Sequence, residues 1–527
     1  MEAVVIALTL GAAVLAGDLA GKYLRVPPPC AWILIGSGLS FVPGLHDVTL
    51  PADVVLFVFL PALLYWECLN TSVGLIRYDL RVIVLLSVGL VFTTAAAVTG
   101  VGVLLGLAPS VALVLGAVLA PTDGTATSNL APGMRRRIAA IIRGESLMND
   151  GSALALYSVA VTAVVAGRAV QLVDFSLRFV YVVAVGVVTG LLVALVIRWL
   201  RNFAHRPRID DTISMLTPFA LFLPAELLDA SGVVAVVAGG LYLSRTLPRI
   251  VEARSRSETY SFWRASTHVI NGVLFVLIGL QARSVVETFV RDGWVRLALL
   301  CALAYIVVMA VRLAWVPVIA QLIRLFDRRP QQRGRREPFR VHAVIAWSGF
   351  RGAVSLAAAL ALPQFIDDGS PFPSRADIIA VTFVVVLITV FLQGLTFPWM
   401  VRRAQLDRDP QAERELALAE TEPVRFALEH LDEDAARLGT PPPAIERVRE
   451  ELERRLEASP EAGDDRRMLE KAHADLSLAA LKRIRARARE LRDEGRIDDS
   501  VLATVQETFD IEELHLQQRG GLTRRSR

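Results

Sequence analysis

Apolar runs long enough to cross a bilayer recur through most of the chain, at roughly 3–20, 30–43, 53–72, 80–106, 109–130, 139–166, 176–199, 212–228, 231–244, 266–283, 294–323, 340–362 and 376–401. A helix rises about 1.5 Å per residue and needs about 20 apolar residues to cross the hydrocarbon core. The pattern therefore predicts an all-α polytopic membrane protein with about thirteen transmembrane helices. Runs 30–43 and 231–244 are short, so tilted or re-entrant elements leave a count of 12 to 14 open. The first run lacks a basic stretch before it, and it reads as a spanning helix, not a cleaved signal.

Past Arg402 and Arg403 the pattern changes to Glu, Arg, Asp and Ala, which divides the chain into a transmembrane domain, 1–403, and a tail, 404–527. In the tail Ile445, Val448, Leu452 and Leu456 keep helical spacing, as do Leu476, Leu481 and Ile484, with Pro441 to Pro443 interrupting. A helical cytoplasmic tail that regulates or dimerises is expected, its ligand unspecified, and a solvated helix without a partner is the other reading. The terminal GGLTRRSR is expected to be disordered.

Charge then orients the helices. Lys22 and Arg25, Arg77 and Arg81, Arg135 to Arg137, Arg201, Arg206 and Arg208, Arg249, Arg254 and Arg256, and Arg328 to Arg336 fall in alternate loops. Cytoplasmic loops are the basic ones. The bias predicts an N-terminus outside and the tail in the cytoplasm of a plasma-membrane protein. Arg168 and Arg291 run against it. Composition agrees: 54% of the 527 residues are hydrophobic and the net charge is only +4. Lysine and arginine confined to short loops and a tail report topology and exclude nucleic acid as a partner. Cys30, Cys68 and Cys301 lie in apolar surroundings without CxxC spacing and read as packing residues.

Against this background the stretch Ala120–Leu154 is anomalous, because it carries Asp123, Glu145 and Asp150 at bilayer depth. An ionisable group there costs about 2.5–3.5 kcal/mol or more and calls for a partner, a wet cavity or a function. Asp123 lies in APTDGTATSNLAPG, where Pro121, Gly124 and dense Thr and Ser predict a broken helix whose freed carbonyls can hold a cation. On the next helix a turn of about 100° per residue puts Ser146 and Asp150 on one face and Glu145 with Asn149 on another. The two carboxylates thus diverge by about 140° and should have different partners. Arg351, in VHAVIAWSGFRGAVSLAAALAL, reads as the one cation deep in a span, with Glu145 the first expected partner and Asp123 the second. Glu67 and Glu226 sit near helix ends. Thr122, Asp123, Ser146 and Asp150 offer the hard oxygens that Na+ prefers. Competition between a cation and a proton for one buried carboxylate is sufficient for antiport.

These residues carry a resemblance. LPALLYWE at 60–67, APTDGTATS at 120–128, GESLMNDGSAL at 144–154, VLFVLIGL at 273–280, GFRGAVSLA at 349–357 and VFLQGLT at 390–396 resemble the monovalent cation:proton antiporters, in the sodium/proton exchanger branch of the electroneutral Asn-Asp type. The resemblance implies inverted repeats, two crossing broken helices, separate scaffold and core domains, an elevator-like movement of the core, and a homodimer in the lipid bilayer. It implies that Asp150 carries the ion and the proton with Asn149 as its partner, and that Asp123, Thr122 and Ser146 help coordinate Na+. Glu145 and Arg351 would form a structural ion pair, and Glu67 would line the cytoplasmic access. No cofactor is implied; Na+, or Li+, and H+ are cargo, with K+/H+ exchange the alternative. The family usually has Asp-Pro at the broken helix, whereas Asp123 is followed here by Gly124. A cation channel and an intramembrane aspartyl protease are the rivals from other classes. The first would lack the proton-competing carboxylate, and neither an HExxH motif nor a catalytic purpose for Arg351 supports the second.

Overall fold

The computed structural model describes residues 2–24, 26–42, 54–124, 134–167, 172–203, 207–247, 250–326, 338–406, 409–457 and 464–494, with Arg496 and five isolated positions beyond. Arg25, Arg168, Arg206, Arg249, Arg328 to Arg336, residues 125–128 of the APTDGTATS motif and the terminal GGLTRRSR lie outside the described residues.

The described membrane domain is helical, and it contains no strand among those residues. Its helices are α1 (Glu2–Leu24), α2 (Pro28–Leu39), α3 (Val55–Leu69), α4 (Val73–Tyr78), α5 (Leu80–Leu104), α6 (Pro109–Leu119), α7 (Arg136–Val165) and α8 (Leu172–Phe203). They continue with α9 (Pro207–Glu226), α10 (Gly232–Thr246), α11 (Ala253–Leu280), α12 (Ala282–Asp292), α13 (Trp294–Phe326), α14 (Phe339–Trp347), α15 (Ala353–Leu360) and α16 (Arg375–Arg403). Seven described helices are long and apolar enough to cross a membrane, and α2, α3, α6 and α10 are shorter apolar helices. Lipid-facing surface is recognisable on α8, where Leu177, Val188, Leu192, Val196 and Trp199 are exposed.

Packing gathers the helices into two groups. In one, α2 lies along α11 and α1, while α8 packs on α10 and α9, and α10 on α3. In the other, α6 packs on α5 and α7, α5 on α13, and α16 on α13 and α15. They meet where α7 touches α8 and α10 and where α11 touches α15. Two of the apolar runs break at the centre of the second group. The 109–130 run stops as helix at Leu119, and the 340–362 run is interrupted between Trp347 and Ala353. Interrupted backbone at membrane depth survives only where other protein groups satisfy it.

The α2/α11 contact depends on glycine for its closeness. A Cβ built on Gly279 would lie 2.6 Å from Ser37 N and 2.8 Å from the Gly36 carbonyl carbon, backbone atoms that cannot step aside.

The second compact unit spans Asp409–Arg527. It contains α17 (Pro410–Glu429), α18 (Leu431–Leu438), α19 (Pro442–Glu457) and α20 (Asp464–Asp493). Asp409 caps α17 by accepting from Ala412 N at 3.0 Å, and Arg449 ties α19 to Asp432 of α18 at 2.8 Å. Of the apolar positions on α20, Leu481 is buried while Leu476 and Ile484 are exposed.

Gly279→Val should drive α2 and α11 apart and destabilise the membrane domain by about 1–3 kcal/mol, the range for overpacking. Thermal unfolding of the purified protein checks it; an unchanged midpoint would show that the contact can relax.

Candidate functional site

The two interruptions lie against each other, and each supplies what the other lacks. Asp123 N donates to the Phe350 carbonyl at 2.8 Å, joining the stretch after α6 to the stretch between α14 and α15. Arg351 Nε donates to the carbonyl of Leu119, the last residue of α6, at 3.1 Å, and its Nη1 donates to Gly349 O at 2.6 Å. Thr389 Oγ1, on a π-helical stretch of α16, accepts from Arg351 N at 3.2 Å. Gly352 completes the crossing, since any Cβ there would collide with the Asp123 side chain. The freed carbonyls at helix C-termini carry partial negative charge, which the Arg351 guanidinium neutralises in place.

The carboxylates divide as the helical rotation predicts, but one partner differs. Ser146 and Asp150 both line a cavity of about 30 Å³, together with Thr122, Asp123 and Glu67. That volume holds one or two water-sized groups. Glu145 does not line it. Glu145 is gripped by Arg312 of α13, with one short contact to Nη1 and a second from Nη2 to Oε2 at 3.1 Å, both side chains 1% exposed. The expected Glu145–Arg351 ion pair is therefore corrected: Arg312 holds Glu145, and Arg351 donates from Nε and Nη1 to backbone carbonyls, its Nη2 bonding none of the described residues. Asp123, the second expected partner, meets the break through its backbone N. Arg312 also donates from Nε to Ala346 O at 3.0 Å and from Nη2 to Ile345 O at 3.0 Å, so it serves the C-terminus of α14 as well.

Around Asp150 the connections are short. Ser146 Oγ accepts from Gly124 N at 2.8 Å and donates to Thr122 O at 2.7 Å. Asn149 Nδ2 donates to Thr122 Oγ1 at 3.2 Å. Thr122, Ser146, Asn149 and Asp150 are all buried, and Oδ1 of both Asn149 and Asp150 accepts no hydrogen bond from the described residues. A buried acceptor without a donor is ready for a proton or a cation. The replacement of the usual proline by Gly124 acquires a local reason here. Proline has no N–H to give Ser146, and a Cβ at 124 would sit 2.8 Å from Ser146 Cβ.

Two groups were missed by the sequence reading. Arg312 lies well inside the 294–323 apolar run and was legible there as an intramembrane cation by the same criterion that picked out Arg351. Asn271, on α11, contributes an amide to the cavity wall. A lone amide in the 266–283 run gave little warning. Glu226 accepts from Gly232 N at 2.9 Å, which ties α9 to the start of α10.

Crossed interrupted helices with a buried carboxylate at their junction define a membrane ion transporter. The family model described as the transmembrane sodium/hydrogen exchanger matches residues 5–403, and the chain belongs to that family. An uncharacterized Na+/H+ exchanger of Mycobacterium tuberculosis (strain ATCC 25618 / H37Rv) is 40% identical over 519 residues, covering 97% of this chain and 96% of that protein. The Na+/H+ antiporter ApNhaP of Aphanothece halophytica is 28% identical over 435 residues, 81% of this chain and 80% of that one. A sodium, potassium, lithium and rubidium/H+ antiporter of Bacillus pumilus (strain SAFR-032) is 29% identical over 457 residues, 82% of this chain and 66% of that one. Among solved structures, the sodium proton antiporter MjNhaP1 from Methanocaldococcus jannaschii at pH 8 shares the fold, with a TM-score of 0.58 and 20% identity over 78% of this chain and 100% of that one. The chain is thus a multi-pass membrane transporter of the cation/proton antiport class, not an enzyme.

Arg312→Leu should leave Glu145 buried without a counter-ion and destabilise the protein by about 3–5 kcal/mol. Adding Glu145→Leu should recover most of that loss. Thermal unfolding of both variants checks the pair; equal stability of the single variant and the parent would exclude it.

Proposed function

We propose that the chain exchanges one Na+ for one H+ across the plasma membrane, with Asp150 binding each in turn. Asp150's carboxylate carries this reading. It is buried, one oxygen accepts no hydrogen bond from the described residues, and it faces a small, largely apolar cavity at the crossing into which Thr122, Asp123, Ser146 and Glu67 also bring oxygens. Na+ and H+ compete for it, and either one neutralises it. The unloaded carboxylate is disfavoured by its low-dielectric surroundings, so the site moves only when occupied. Asp123, Thr122 and Ser146 add cation ligands, and Glu67 guards the entry from the cytoplasm. Asn149 orients the Thr122 hydroxyl and adds no charge, which supports an electroneutral cycle.

Alternating access follows from the division of the site between helix groups. Asp123, Ser146 and Asp150 belong to the group built on α5–α7 and α13–α16, while Glu67 and Asn271 come from α3 and α11 of the other. Movement of the first group against the second would expose Asp150 to one side and then the other. The protein acts as a homodimer with its N-terminus outside and its tail in the cytoplasm. K+/H+ exchange is the second reading, favoured by the names of the Bacillus relatives.

Proteoliposomes containing a pH-sensitive dye test the proposal across Li+, Na+, K+ and Rb+. Na+ should collapse an imposed pH gradient at a rate unaffected by membrane potential, and Asp150→Asn should reduce exchange to the protein-free level while leaving the protein folded. Cation-driven proton movement in that variant would remove Asp150 from the mechanism. A stronger response to K+ than to Na+ would select the second reading. Asn271→Ala should raise the half-saturating Na+ concentration several-fold with the maximal rate retained; an unchanged value would confine the cation's ligands to the other wall.

A further inference from the structure

Arg291, one of the two arginines that run against the loop-charge bias, lies beside two further arginines. The end of α12, the start of α13 and the start of α16 surround an open cavity of about 650 Å³, lined by Arg291, Arg296 and Arg375 with Asp377 as the one carboxylate in its wall. Among the described residues of the wall, three guanidiniums stand against one carboxylate. Arg375 is fixed in place, donating from Nε to Leu362 O and from Nη2 to Leu360 O, both at 3.0 Å. Arg296 stays half-exposed, its Nη2 3.8 Å from Asp377 Oδ2. The transport cycle uses none of these residues, and the cavity is at the opposite end of α16 from Arg402 and Arg403.

We propose that this cavity binds the phosphodiester headgroup of an anionic phospholipid. Guanidiniums match phosphate oxygens in geometry as well as charge. The volume suits a whole headgroup, in contrast to the water-sized transport cavity. What favours a lipid over a free phosphate is the surface next to it: Trp294, Val295 and Leu299, at the adjoining start of α13, are 60%, 82% and 46% exposed and give acyl chains a place to lie. Trp294 also packs against Phe289 with ring centroids 5.6 Å apart, an aromatic pair of the kind that marks the headgroup level. The bound headgroup compensates charge that would otherwise oppose the placement of this end away from the cytoplasm.

The test uses the full-length protein purified in a neutral detergent. Thermal unfolding and native mass spectrometry are recorded with phosphatidylglycerol, with phosphatidylcholine, with water-soluble glycerophosphoglycerol and with inorganic phosphate. Phosphatidylglycerol should raise the unfolding midpoint and remain bound, and phosphatidylcholine should do neither. Arg296→Gln and Arg291→Gln should each abolish the phosphatidylglycerol shift, read against the lipid-free midpoint of the same variant. Equal stabilisation by inorganic phosphate or glycerophosphoglycerol would show a free-anion site and overturn the lipid assignment. Undiminished phosphatidylglycerol binding in both variants would place the lipid elsewhere and overturn the site.

Discussion

Two helices that end inside a membrane leave carbonyls with no water to bond, at several kcal/mol for each unsatisfied group. In this protein the two breaks largely satisfy each other. The stretch after α6 gives the Asp123 N–H to Phe350, and the stretch after α14 gives the Arg351 guanidinium to Leu119. Arg351 also bonds its own neighbour Gly349, and Thr389 holds its backbone from α16. Removing the Arg351 side chain would expose carbonyls at both breaks at once, Leu119 O and Gly349 O. The crossing is therefore the constraint on which the carboxylate positions depend.

The distribution of charge follows. Two buried arginines lie near the crossing in structural roles: Arg351 bonds freed carbonyls through Nε and Nη1, while its Nη2 donates to none of the described residues, and Arg312 serves Glu145 and the end of α14. Gly349 lies between them, where a Cβ would press on Arg312 and approach Arg351 Nη1 to 3.0 Å. Like charges tolerate such closeness only because helix C-termini and Glu145 surround them. No described arginine or lysine forms an ion pair with Asp150. A carboxylate held beside a fixed cation would keep its charge permanently; Asp150 is left to acquire a neutralising partner from the cargo.

Much of this was readable from the residues, for identifiable reasons. Pro121, Gly124 and dense hydroxyl residues mark the first break, the second is legible only through the family resemblance, and rotation about a helix separates Glu145 from Ser146 and Asp150. Distances between helices are not encoded in such patterns. Arg351 was matched to Glu145 because buried cations want carboxylates, yet a broken helix also offers carbonyls, which carry no signature in a sequence. Arg312 was passed over inside a strongly apolar run, where averaging hydropathy hides a single charge. Asn271 faces the cavity because α11 crosses in front of α15, a relation between segments far apart in the chain.

The departure at Gly124 shows how tightly the break and the carboxylate are linked. Ser146 bonds both Gly124 N and Thr122 O, and Asn149 bonds the Thr122 hydroxyl, so three hydrogen bonds tie the unwound stretch to consecutive turns of α7. Asp150 follows Asn149 directly and takes its place from those bonds. A proline would stiffen the break but remove the Gly124 donor, and glycine keeps the donor while admitting the Ser146 side chain. The unwound segment and Asp150 consequently behave as one body, fastened together within one helix group. Glu67 and Asn271 approach the same cavity from the other group, with no side-chain hydrogen bond to that body among the described residues. A binding residue anchored to one group and walled by another is the arrangement in which relative movement changes access without dismantling the site.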